Sequence, residues 1–183
     1  MGRSKYSRQS GLMSKLSVFL ISAISILATT SSLIYFNVPS YIYSNIIGLF
    51  IFSLYFGTAQ SLVFVCVIQI IMMKVGLATE FLGYTFVLWI SDVLIIKIVQ
   101  SVIPKSIFKN RKYSLILIIA MSVILMAILS KPLSIVAFNW IQGGENEFGE
   151  LINKEVILEQ FKIFGLSGIV TFIFYTVFDR FNI

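Results

Sequence analysis

The sequence predicts an all-α polytopic membrane protein, six transmembrane helices in one bundle with both termini in the cytoplasm. Three observations carry that expectation. Of 183 residues, 58% are hydrophobic and only 12% are charged, where a soluble domain carries about 25% charged residues. Several apolar runs are longer than the core helices of a small globule need to be. The basic residues gather on alternate connections, as they do where positive charge keeps loops on the cytoplasmic side.

The same composition narrows the chemistry. The chain has no His and one Cys, Cys66, inside an apolar run. Disulfide frameworks, Cys/His metal centres and His acid–base catalysis are therefore not expected. No Gly-x-x-x-x-Gly-Lys-Ser/Thr phosphate loop is present, so any ATP-driven step belongs to another polypeptide. The chain reads as a non-enzyme with no cofactor. Its net charge of +6 reports loop placement rather than a nucleic-acid surface, and no nucleic-acid partner is expected.

The first span is Leu16 to Phe36, preceded by Arg3, Lys5, Arg8 and Lys15 without an acid. It exceeds the apolar core of about 7 to 15 residues in a signal peptide, so an uncleaved span is expected. After Pro39 come spans at about 41–56 and 61–73, interrupted by Gly57-Thr58-Ala59-Gln60. One unbroken helix here would far overshoot a hydrocarbon core of about 30 Å, which predicts a tight helical hairpin. The fourth span, 81–103, is closed by Pro104, which cannot continue a helix without losing a hydrogen bond. Lys105, Lys109, Arg111 and Lys112 follow. The fifth span, 113–138, carries Pro132 as an expected kink. Gly143-Gly144 then opens a loop expected to hold Glu145, Glu147, Glu150, Glu155 and Glu159, and the sixth span covers 161–178.

An even span count puts both ends on one side. Placing that side inside collects nine of the fourteen Lys and Arg residues in the cytoplasm, with the glutamate-rich loop outside. No repeat or low-complexity linker divides the chain, so residues 1–183 form one domain. The setting is a cell membrane, bacterial by this reading.

Polar groups within the spans are the informative positions, because they cost free energy in lipid unless paired or hydrated. Asp92 lies about 16 Å from the outer end of its span at about 1.5 Å per residue, and Thr85, Trp89 and Asp92 share a helix face. Lys131, entering from the opposite direction, reaches a comparable depth. Two readings stay open: both residues engage a small polar ligand, or they neutralise each other as an intramembrane pair. Lys97, near the cytoplasmic end, is expected to snorkel there. In span six, Gln160, Phe164, Ser167, Thr171 and Tyr175 form a stripe that faces the interior, either joining helices or lining a cavity, with Gly165 and Gly168 allowing close approach. Span one carries a small-residue seam of Ser22, Ser25, Ala28, Thr29 and Ser32 for helix packing, internal or with another subunit. Tyr41, Tyr43, Tyr84 and Trp140, with Asn139, mark the outer ends as interface anchors or as a stacking lid over a flat ligand.

The segment Leu54-Tyr55-Phe56-Gly57-Thr58-Ala59-Gln60-Ser61-Leu62-Val63 resembles the glycine-centred turn between helices two and three of the substrate-binding S components of energy-coupling factor (ECF) vitamin transporters. The six-helix topology and chain length are similar to that family as well. The resemblance implies capture of a vitamin or similar micronutrient near the outer side, between helices four to six and the first loop. The polar and aromatic residues of the spans and their outer ends, Trp89, Asp92, Lys131, Asn139, Trp140, Tyr84, Ser167 and Tyr41, are the candidate substrate-binding residues. The resemblance also implies partners: a transmembrane coupling protein and two ATPase subunits, besides membrane lipid. The family's Ala-x-x-x-Ala docking pattern in helix one is replaced here by Ser22, Ser25, Ala28 and Thr29.

The rival reading is a small structural membrane protein of the cell-shape or envelope machinery, similar to the rod-shape scaffold MreD, in which interior polar groups only join helices. Five residues follow Phe178, so a signalling domain is not expected there.

Overall fold

The structure is a computed structural model that describes residues 5–36, 46–78, 83–103, 111–143 and 154–180. All six elements are α-helices: α1 Lys5–Phe36, α2 Ile46–Tyr55, α3 Thr58–Lys74, α4 Tyr84–Val102, α5 Arg111–Gln142 and α6 Lys154–Arg180. Four of them contain stretches long and apolar enough to cross a membrane, namely Lys15–Ser32, Tyr84–Val102, Tyr113–Gln142 and Lys154–Val177. The chain is therefore membrane-embedded.

The two remaining helices are shorter. The ten residues of α2 rise about 15 Å, half a hydrocarbon core, and the 17 of α3 about 26 Å. The expected second span began at Tyr41, but residues 37–45 lie outside the described residues. Helices α1, α3, α5 and α6 also extend past the expected bounds. The glutamates Glu155 and Glu159, expected in a loop, belong to the first turns of α6, where negative charge meets the positive end of the helix dipole.

The hairpin expected at Gly57 is present. Phe52 of α2 stacks on Phe64 of α3 with ring centroids 3.9 Å apart, whereas twelve residues of continuous helix would separate them by about 18 Å. Phe56 stacks on the other side of Phe52, and Phe19 of α1 meets both Phe52 and Phe64 edge-on. Gly57 occupies the cap position of α3, its N–H bonded to the Gln60 side chain at 3.1 Å. At the far end of α3, Gly76 has φ +75°. There Leu77 N–H reaches the Met72 carbonyl and Gly76 N–H that of Met73, the paired bonds that stop a helix on a left-handed glycine. Gly143, φ +73°, ends α5 in the same backbone region.

Helix α2 is apolar on every side and accordingly central, packing against α1, α3, α4 and α6. Its Gly48 is the point of closest approach. A Cβ there would lie 2.4 Å from the Ser22 carbonyl oxygen and 2.6 Å from Ile26, so α1 and α2 meet backbone to backbone. One apolar cluster joins α1 to α4 through Ile26, Leu49, Phe52, Phe64, Ile68 and Trp89, with Cys66 packed at its margin. A second joins α2 and α4 to α5 and α6 through Phe50, Ile96, Ile119, Met126 and Phe164. Helix α5 continues through Pro132 to Gln142.

Candidate functional site

The polar centre of the bundle lies between α4 and α5, which pack together extensively. Trp89 and Asp92, three residues apart on α4, are both fully buried. Opposite them α5 presents Ser122, Met126, Ser130 and Ser134 at every fourth position, all buried. That spacing places the four side chains on one helix face. The Ser130 hydroxyl donates to Asp92 Oδ1, and the Ser134 hydroxyl donates back to the Ser130 carbonyl. Three buried groups here have no hydrogen-bond partner among the described residues: Asp92 Oδ2, Trp89 Nε1 and Ser122 Oγ.

The structure decides against the Asp92–Lys131 pair. Asp92 bonds Ser130, its second oxygen is free, and half-buried Lys131 makes no ion pair with it. Successive helical residues point about 100° apart. With Ser130 turned inward, Lys131 is carried to the flank of α5. Thr85 keeps the helical spacing of the face it shares with Trp89 and Asp92 but is exposed in the first turn of α4, where the face runs out of cover.

The remaining candidates are dispersed. Half-buried Tyr84 meets Phe138 edge-on at 6.0 Å, tying the start of α4 to the end of α5. Asn139 is half-buried beside it, while Trp140 is 83% exposed, turned away from the bundle as an interface anchor would be. Trp140 stands about 15 Å along α5 from Ser130. Ser167 is buried and donates to the Ile163 carbonyl of its own helix at 2.7 Å. The stripe around it is interior as expected, with Phe164 and Thr171 buried. Gly168 brings α6 close to α5, a Cβ there lying 2.9 Å from Val123, but Gly165 has nothing within 4 Å. Tyr41 lies outside the described residues.

The seam on α1 is divided. Ser22 is fully buried against α2, Ser25 and Thr29 are half-buried, and Ala28 is exposed. The Thr29 and Ser32 hydroxyls return to carbonyls of α1, at 2.8 Å from Ser25 and Ala28 respectively. The seam thus serves the internal contact through Ser22 and leaves Ala28 on the outer surface.

A second polar locus surrounds the α2–α3 turn. Lys97, expected to snorkel toward the cytoplasmic end of its span, reaches the α2–α3 turn. Its ammonium donates to the Phe56 carbonyl at 2.5 Å, to the Ser53 carbonyl and to Gln100 Oε1 at 2.9 Å. The last carbonyls of α2 have no helical donors of their own, and a cation suits that negative end of the helix dipole. Lys97, Gln100 and Ser101 line a cavity of about 460 Å³ with the turn residues Tyr55 to Thr58. An apolar groove of about 410 Å³ opens between α5 and α6 beside Gly165.

Among the described residues no three His, Cys, Asp or Glu side chains are grouped to hold a metal ion. The sequence reading missed Ser130 and the contact of Lys97 with the α2 carbonyls. The first had a visible signal, serines at 122, 130 and 134 spaced by multiples of four. Comparison with protein-family models, curated proteins and solved structures gives no match for this chain.

Proposed function

We propose that this chain is the solute-capturing subunit of an ATP-driven importer, of the ECF S-component type, in a bacterial cell membrane. Six spans, with α2 and α3 as the short hairpin, leave both termini in the cytoplasm. The captured solute is a vitamin or similar micronutrient taken from outside. Energy comes from a transmembrane coupling protein and two ATPase subunits.

One observation carries the reading: the wholly buried carboxylate oxygen of Asp92 and indole N–H of Trp89 are unpartnered on one face of α4. Each unmade bond in a low-dielectric interior costs about 1–3 kcal/mol, more for a charged group, and a bound solute is what relieves both. Access runs past the outer end of α5. Pro132 has no N–H for the Ile128 carbonyl, so the helix there lacks one rung and bends more easily.

The test is uptake. Cells lacking the gene should lose accumulation of one radiolabelled vitamin or purine, and Asp92→Asn should fail to restore it while leaving assembly and cell shape normal. Normal uptake of every compound in the deletion strain, with no compound altering tryptophan fluorescence of the purified protein, removes the proposal.

The scaffold reading draws on a different observation: the Ser130 hydroxyl of α5 bonds Asp92 of α4, a polar contact that joins two helices. Under it, Asp92→Asn combined with Lys131→Met leaves function intact, and deletion alters cell shape rather than uptake.

A further inference from the structure

We infer that the solute held at this centre is an organic cation that pairs an amine or amidine donor with a nearby hydrogen-bond acceptor. The inference rests on the solute-capture reading above and deepens it. Among the described residues Asp92 is the buried carboxylate, and the donor it has, the Ser130 hydroxyl, carries no formal charge. Lys131 makes no ion pair with it. An ionised Asp92 therefore has no cationic counterpart among the described residues, and a ligand that answers it is positive or proton-donating.

Trp89 sharpens the class in two ways. Its Nε1–H, also without a partner, requires an acceptor on the same molecule. Its ring, fully buried one turn from Asp92, attracts a cation electrostatically through its π face. Trp89 and Asp92 lie one turn apart on α4, so a single small molecule that carries both a donor and an acceptor, as an aminated heteroaromatic ring does, answers both groups. A bare Ca²⁺ or Mg²⁺ ion does not fit, because such ions take six or more oxygen ligands, and the carboxylate and hydroxyl of Asp92 and Ser130 fall well short. An anionic solute would meet the unpaired carboxylate directly.

The probes are three isosteres: picolylamine, a cation with a ring-nitrogen acceptor, pyridylmethanol, its neutral counterpart, and pyridine carboxylate, an anion. Full-length protein in nanodiscs is melted with each, since a ligand that binds the folded state alone raises the melting temperature. Picolylamine is expected to raise it in a saturable way and the other two to leave it unchanged. Asp92→Asn should abolish the effect, and Trp89→Phe, which keeps a ring but loses the N–H, should weaken the apparent affinity about tenfold. If pyridylmethanol or pyridine carboxylate protects the protein as well as picolylamine, through Trp89, the cation assignment falls while solute capture stands. If picolylamine protects Asp92→Asn as it does the unaltered chain, the assignment falls likewise. If no probe protects and both variants support normal uptake, the site and its solute class fall together.

Discussion

Ser130 and Lys131 are neighbours in sequence with opposite fates, and the difference is measurable. Ser130 supplies the hydrogen bond to a fully buried carboxylate. Ser130→Ala should therefore destabilise the folded protein by about 1–3 kcal/mol, the cost of leaving such a group unsatisfied. Ser134→Ala should cost less than about 1 kcal/mol, because its hydroxyl returns to a carbonyl of its own helix that the backbone already serves. Lys131→Met should fall within about 0.5 kcal/mol of the unaltered chain, as for side chains outside any network. A buried ion pair with Asp92 would instead lose about 3–5 kcal/mol on removal of one partner. Thermal unfolding of the three variants in detergent separates the arrangements, and a large loss for Lys131→Met would contradict the geometry described.

Between helices, the decisive contacts are made where side chains are smallest. Gly48→Ala drives a Cβ against the backbone oxygen of Ser22 at 2.4 Å, and a carbonyl held in α1 cannot step aside as a side chain can. That substitution should cost about 1–3 kcal/mol, the usual range for overpacking, and should loosen α1 from α2. Gly165→Ala, facing open space, should be neutral or slightly stabilising through helix propensity. Comparing the two by resistance to denaturing detergent checks which face of each helix is packed. Lys97→Met should fray the C-terminal turn of α2, since the carbonyls of Ser53 and Phe56 lose their ammonium donor. Faster amide exchange across Leu54–Gly57, with α6 unaffected, is the expected signature, and unchanged exchange would deny Lys97 its capping role.

Across the whole molecule, the charge pattern makes a prediction about orientation. A cysteine introduced at Thr58, in the exposed hairpin turn, should react with a membrane-permeant maleimide and resist an impermeant one in intact cells, in a chain where Cys66 is replaced by Ala. A cysteine at Glu147 should react with both. The reverse pattern would invert the bundle and move the approach to Asp92 to the cytoplasmic side. The bundle also places the last carbonyls of α2 against a protein donor. The helix is buried between α1, α3, α4 and α6, and its C-terminal end meets Lys97 rather than lipid, which cannot satisfy backbone carbonyls.

The sequence by itself determined the membrane class, the run of helices, the break at Gly57 and the inward stripe of Phe164, Ser167 and Thr171. Each follows from hydropathy, helical spacing or turn chemistry, which act over a few residues. The tertiary structure alone decided that Ser130 and not Lys131 meets Asp92, that Lys97 caps α2, and that Ser22 packs inward while Ala28 faces out. Those outcomes depend on how each helix is rotated about its own axis. Apolar side chains do not fix that rotation in a bilayer, since lipid and protein interior are equally welcoming to them. It is set by close fits such as Gly48 against Ser22, which exist only once two distant segments lie side by side.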